Sequence, residues 1–468
     1  MRLDRLFWLY PVLLAAACDV GPDYEKPAVQ TPTAFKEAGT WQQAEPADTV
    51  ERGAWWKVFH DATLDKLEEQ IALSNQNVKS YEAAYRQAQA LTDEARAGWF
   101  PTVSLNGSDT RSATGKSGTK SASAYASSLN ASWTADVWGR IGRTVESNEA
   151  KAEASAADLA GVQLSAQTTL ATDYLDLRWQ DEQITTLRLI AEANRKLAEI
   201  EKSRYDAGTD GKQAWLAAQQ NLDAAEATLS NAQITREQLE HAIATLIGTP
   251  ASQIAVPKSG VPSHVPHIPA QIPSNLLQQR PDIASAERAV AAANADIGVA
   301  TAAWFPTFSF DASYGYSAAI LPRLLQSPYS LWSFGPTVAE TLFDAGNREA
   351  TIEAARAGYD QTVATYRQTA LTAFQEVEDD LSSLHHLTDQ VQQQQSNLEH
   401  ARAAQDIVEA QQKVGTSAVS DVLTARITRL KAQQSWQIAQ QQRYETTVAL
   451  IEALGGTWTT GTVENKKE

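Results

Sequence analysis

Cys18 is the only cysteine in a chain of 468 residues, and its surroundings decide its chemistry. One thiol cannot close an internal disulfide or build a cysteine metal cluster. It follows a basic start (Arg2, Arg5), an apolar run from Leu6 to Ala17, and the small residues Ala15-Ala16-Ala17. That is the order of a secretory signal ending at a small-residue cleavage site. A cysteine directly after such a site reads as the acylated first residue of the mature protein. Residues 1–17 are therefore read as a lipoprotein signal peptide and Cys18 as the lipid attachment point, with an ordinary cleaved signal as the alternative. Two details depart from the usual pattern. Ala15 stands where such signals carry Leu, and Asp19 after the cysteine resembles an inner-membrane retention signal of enteric bacteria. The covalent lipid is the only prosthetic group the chain calls for.

The other reactive side chains do not assemble into a catalytic set. Gly115-Lys116-Ser117 has the end of a phosphate loop, but the motif needs glycine at position 110 and the chain has Thr110. His264 and His267 lie in a proline-rich stretch and His385-His386 in a helical one, with no third ligand for a metal. Glu376, Glu378, Asp379 and Asp380 form an acidic run whose ordinary meaning is a solvated helix face. No Ser/His/Asp set or paired-carboxylate pocket is spelled out, so an enzyme is not expected. The net charge of −17 argues against a nucleic-acid partner, which requires clustered cations. It fits an extracytoplasmic surface or a cation-favouring lumen.

The elements that carry these residues are written twice. Gly98-Trp99-Phe100-Pro101-Thr102 returns as Ala303-Trp304-Phe305-Pro306-Thr307, Gly208-Thr209 as Gly415-Thr416, and Ile247-Gly248 as Leu454-Gly455, at an offset of about 205–207 residues. That period is too long for a solenoid. The chain divides into an N-terminal arm (18–59), a first repeat (60–248), a Pro-rich linker (249–273), a second repeat (274–456) and a polar tail (457–468). Proline is absent from Thr102 to Thr249 and from Thr337 to Glu468, so long helices are permitted. Arg143–Asp206 and Asn347–Val414 are rich in good helix formers, with Leu170, Tyr174, Leu177, Ile184, Leu187, Ile190, Leu197 and Ile200 at coiled-coil spacing. A helix of about 65 residues is about 100 Å long and must pack against other long helices. Glycine turns at Gly208 and Gly415 stop these helices. Second helices, Lys212–Ile247 and Ser420–Leu454, then return, so each half holds a helical hairpin.

Before each long helix the texture changes. Pro101–Arg111, Ala124–Val137, Pro306–Tyr316 and Ser330–Phe343 show the period of two that marks strands; Phe308, Phe310, Ala312, Tyr314 and Tyr316 share a face. The apolar signal run is too short for a spanning helix, so a bilayer would be crossed by strands if at all. Four strands cannot close a barrel, and open edges are not tolerated in lipid. Either the hairpins form a soluble sheet or several chains pool them; three chains would give twelve strands. Trp99, Phe100, Trp304 and Phe305 then fall at interfacial depth, which aromatic rings favour.

Val20-Gly21-Pro22-Asp23-Tyr24-Glu25-Lys26-Pro27 after Cys18, Trp55-Trp56 with Phe59-His60-Asp61, Gln279-Arg280-Pro281-Asp282-Ile283, Leu342-Phe343-Asp344-Ala345-Gly346 and Ala373-Phe374-Gln375-Glu376-Val377 together resemble the TolC-like outer-membrane efflux family, in its NodT-type lipoprotein branch. The resemblance covers nearly all of the mature chain. It implies a mainly α fold with a small β part: long antiparallel coiled-coil helices forming a trimeric α-barrel, and four strands per chain contributing to a 12-stranded transmembrane β-barrel. It further implies a passive exit duct for drugs or other small molecules in the outer membrane, working with a periplasmic adaptor and an inner-membrane RND-type pump. The tip of the second helical hairpin narrows the pore in that family. Asp421 matches an acidic position there, Thr424 stands where a second acid often sits, and Arg426 is a candidate local partner. A protein-secretion duct of the same fold, or a structural periplasmic helical lipoprotein, are the competing readings.

Overall fold

The computed structural model describes residues 19–32, 35–38, 54–114, 120–262 and 280–456. Cys18, His264, His267 and Gly115-Lys116-Ser117 lie outside them. The described chain is mainly helical with four strands: α1 (Ala62–Ser74), α2 (Gln76–Ala97), β1 (Thr102–Thr114), β2 (Lys120–Ala135), α3 (Arg140–Asp206), α4 (Lys212–Leu246), α5 (Pro281–Ala302), β3 (Thr307–Ala318), β4 (Ser330–Ala339), α6 (Asn347–Lys413) and α7 (Val419–Ala453). None of the described helices is long and apolar enough to cross a membrane.

Two compact units share these elements. The first holds the strands, the head of the N-terminal arm and the helix segments 84–156 and 285–367. Its sheet is antiparallel in the order β1-β2-β3-β4, so β1 and β4 are both edges. Paired residues share a face. The rows Leu105–Leu129–Tyr314–Trp332 and Val103–Ala131–Ala312–Phe334 lie on one face. The rows Ser104–Asn130–Ser313–Ser333 and Thr102–Ser132–Asp311–Gly335 lie on the other. Among the described residues the apolar face is largely uncovered: Leu105 is 75% exposed, Phe334 72% and Trp332 77%. β2 begins at Lys120 rather than Ala124, because the small residues Ser121, Ala122 and Ser123 extend the ladder with β1. β4 ends at Ala339 rather than Phe343, because its partner β3 begins at Thr307.

The second unit holds the remaining helix segments and a core of its own. Asp61 opens α1 by accepting from the Thr63 and Leu64 amides, and Leu64, Leu67 and Ile71 then point one way at helical spacing. They pack with Trp55, Trp56 and Phe59, with Leu170, Tyr174 and Leu177 of α3, Ile243 of α4, and Tyr444 and Val448 of α7. Asn75 separates α1 from α2: its side chain accepts from the Asn77 and Val78 amides and donates to the Leu246 carbonyl. Of the α3 positions read as a coiled-coil face, Leu170 to Ile190 are buried and Leu197 and Ile200 half-buried. Glu68 is fully buried with no partner for either carboxylate oxygen. Burial pushes it up to about 9, so it sits in the core as a neutral acid.

Replacing Leu170 by Ala removes a fully buried side chain from the middle of this core. A loss of about 2–5 kcal/mol is expected, read as a lower denaturant midpoint of the purified protein.

Candidate functional site

The arm that follows Cys18 is seated by a chain of specific contacts inside the first unit. Val20 donates its amide to the Trp138 carbonyl. Gly139 has φ +73, and a Cβ there would overlap the Asp19 carboxylate. Gly21 lies against Gly298 so closely that a Cβ on it would meet the Gly298 Cα at 2.5 Å. Asn294 of α5 donates to the Pro22 carbonyl at 2.9 Å. Asp23 pairs with Arg143 of α3 at 2.8 Å, and the Arg143 side chain is only 7% exposed. The Tyr24 hydroxyl bonds the Glu287 carboxylate, with the Arg288 guanidinium over the ring. Burial, and then the Glu287 bond, push the Tyr24 hydroxyl well above its ordinary range. The residue next to Cys18 is thereby held beside the turn that joins β2 to α3.

That turn and its counterpart after β4 are built alike. Asp136 accepts from the Ile141 and Gly142 amides and opens α3. Asp344 accepts from the Gly346 and Arg348 amides and opens α6, with Ala345 at φ 55 and Gly346 at φ 87 in the tight bend. Aromatic rings gather at both junctions. Trp99 and Trp304 are 43% and 47% exposed and Phe100 70%. Phe305 stacks on Trp138 at 4.7 Å, and the Trp138 indole donates to the Pro306 carbonyl. The Arg348 guanidinium lies 4.7 Å over Trp304, and the Trp133 indole donates to the Trp99 carbonyl. Trp138 and Trp133 were missed by sequence reasoning. A signal was available in Asp136-Val137-Trp138-Gly139-Arg140 and Asp344-Ala345-Gly346-Asn347-Arg348, which share an aspartate, an intervening glycine and an arginine four residues on, close to the offset of the other motifs.

At the tip of the second helical hairpin, Asp421 folds back on its own helix start. Its carboxylate accepts from the Ala418 amide at 2.8 Å and the Ser417 hydroxyl at 3.0 Å. The backbone bond first and the hydroxyl bond second hold it below the usual carboxylate range. Ala418 has no side-chain acceptor to return the bond, so this is half of a capping box. Arg426 is not brought to Asp421. It neighbours Arg429 and stands behind Lys196 in lowering the Glu192 carboxyl. The cation that reaches the tip is Arg204 of α3, which donates to the Ser420 hydroxyl at 3.2 Å. At the first tip, Tyr205 and Trp215 stack at 5.5 Å with Lys202 alongside.

The acidic run on α6 is not simply a solvated face. Glu376 pairs with Arg280 at 2.6 Å, and Glu378 accepts from the Lys36 and Glu37 amides. Asp380 lines a cleft of about 480 Å³ with Asp173 and Asp176 of α3 and Glu445 and Glu452 of α7. Gln441 joins the group, donating to Asp176 at 3.0 Å and to Glu445 at 2.9 Å, and accepts from Gln183 at 2.7 Å. No group of ligands able to hold a metal ion is found among the described residues.

Two blocks of the chain, residues 67–249 and 272–456, match the model of the family described as outer membrane efflux protein. The chain belongs to that family. It is 29% identical to the pyoverdine export outer membrane protein OpmQ of Pseudomonas aeruginosa, over 98% of each chain. It is 27% identical to nodulation protein T of Rhizobium leguminosarum bv. trifolii, over 94% of this chain and 93% of that one. The solved outer-membrane channel OprN superposes with a TM-score of 0.84 at 30% identity, over 94% of this chain and 99% of that one. The protein is thus an outer-membrane efflux channel and not an enzyme.

The carboxyl cleft gathers acids from three helices of the second unit, where burial shifts their titration. Burial pushes Asp173 up to about 6 and, with Glu376 adding its charge, Asp380 to about 7. Burial first, then the bond to Glu445, push Asp176 up to about 8. These groups hold protons that the unfolded chain releases near pH 4, so their contribution to stability falls as pH rises from about 4 to about 8, and Glu68 extends the fall to about 9. The thermal midpoint of the purified channel is expected to drop across that window. Asp176→Asn, which keeps the Gln441 contact without the charge, is expected to flatten the drop. An unchanged slope in the variant counts against the assignment.

Proposed function

We propose that three copies of this chain close into one outer-membrane duct through which small molecules leave the cell. The observation that carries this reading is the four-stranded sheet, which among the described residues has a largely uncovered apolar face and two unpaired edges. In hydrocarbon an unpaired strand edge costs several kcal/mol for each unsatisfied backbone group, so a four-stranded sheet cannot enter the membrane alone. β1 runs antiparallel to β2 and β4 antiparallel to β3, so β1 of one copy and β4 of the next meet antiparallel. Three copies supply twelve strands, inside the range of outer-membrane barrels. The apolar rows then face lipid, and the Ser, Thr and Asn rows face water. Trp99, Phe100, Trp304 and Phe305 stand at the strand–helix junctions as interfacial anchors, together with Trp138 and Trp133.

The lipid attachment at Cys18 is part of the same reading. The arm holds Asp19 at the β2–α3 turn, beside this aromatic level, which is where an acyl chain would need to leave the protein to enter a bilayer. The helical hairpins form the periplasmic part. Their tips, with Asp421 as the acidic ring of the constriction and Arg426 behind it, meet a periplasmic adaptor linked to an inner-membrane RND-type pump. The relatives are named for pyoverdine export and nodulation, and others for toluene and cation efflux. Cargo for this chain falls within that broad class of small exported solutes.

Deleting the gene in its host is expected to raise accumulation of several dyes or antibiotics. The intact gene reverses the effect, and a version lacking both β-hairpins does not. An unboiled sample is expected to run on a gel as a heat-sensitive trimer, and a monomer under all conditions sinks the barrel. Labelled palmitate is expected on the wild-type protein and absent from Cys18→Ser; equal label on both rejects the anchor.

A further inference from the structure

The polar face of the sheet is nearly free of charge. Its rows are built from Ser, Thr, Asn, Ala and Gly with Leu331 as the one large apolar residue; Lys120 pairs in register with Thr114 at the loop end of β2, and Asp311 is the one charged residue on this face among the strand side chains described. Asp109 and Arg111 sit on the opposite face, paired in register with Tyr125 and Ser123. Asp311 is exposed and accepts from the Ser132 hydroxyl at 2.8 Å. Its partner on the other side is Gly335, which has no side chain to cover it.

We propose that Asp311 sets the charge preference of the duct within the membrane, favouring cationic and zwitterionic solutes over anionic ones. The inference rests on the barrel reading above, in which this face lines the water-filled interior. Twelve strands about 4.8 Å apart and tilted by about 40° enclose a backbone radius of about 12 Å. Side chains as short as serine and alanine leave most of that width open. The screening length is about 10 Å in 0.1 M salt, so one carboxylate from each of three copies is felt to the axis. In 1 M salt the length falls to about 3 Å and the preference should vanish. This level is distinct from the hairpin tip, where Asp421 is engaged in capping its own helix.

The test reads the potential at the wall directly. Ser333 lies one row from Asp311 on the same face and is exposed. In the full-length lipidated protein, Ser333→Cys is reacted from outside with a cationic and an anionic methanethiosulfonate of similar size. The ratio of the two rates is measured in 0.1 M salt. Adding Asp311→Asn is expected to lower the cation-to-anion ratio roughly two- to fivefold, and Asp311→Lys to invert it. Asp109→Asn, on the other face, is expected to leave it unchanged. A ratio unaffected by Asp311→Asn or Asp311→Lys overturns the proposal while leaving the barrel intact. If Ser333→Cys is inert to both reagents and Trp332→Cys reacts with both, the face assignment is wrong and the barrel reading falls with it. Heat-sensitive trimer mobility confirms that each variant compared is assembled.

Discussion

Backbone amides and carbonyls on the outer strands govern the rest of this molecule. A sheet whose face is built for lipid cannot leave β1 and β4 unpaired there, because no water is available to replace the missing bonds. The chain carries too few strands to satisfy them itself. In the barrel proposed above, strands of other copies complete the pairing. The helices inherit the same condition: helices of 67 residues bury part of their surface within the chain and leave the rest for neighbours. Leu371 and Ile407 on α6 remain 54% and 59% exposed.

Much of the architecture was legible because repetition and absence are strong signals. Two stretches without proline, each closed by a glycine turn, located the helical hairpins to within a few residues. The strands were harder. Ser121 to Ser123 have little strand preference of their own and join β2 only because β1 offers a ladder. The acidic run on α6 is solvated at Glu376 and Asp379, but sequence cannot show that Glu376 also meets Arg280 or that Glu378 receives two arm amides. The cleft joining Asp173, Asp176, Asp380 and Glu445 was equally invisible, as its members come from three helices far apart in the chain.

The arm illustrates a different limit. Its residues were noticed as a motif, but the reason for each one lies in what it touches. Gly21 and Gly139 are small because Gly298 and Asp19 need the space. Asp23 is acidic because it shares the nearly buried Arg143 guanidinium with Glu146. Tyr24 reaches across to α5. A motif of eight residues is thus a record of contacts made with two helices more than a hundred positions away. The two capping aspartates, Asp136 and Asp344, tell the duplicated half of the story: each repeat turns from strand to long helix with the same device, although the surrounding residues have drifted apart.

The polar rows of the sheet have one more implication. A wall of hydroxyls, amides and methyl-sized groups offers a passing molecule many weak partners of nearly equal strength, and no deep well in which to rest. Dwell times along such a wall are short, and throughput rises with supply rather than levelling off at a preferred ligand concentration. Such a surface suits a passage that must not retain what it carries.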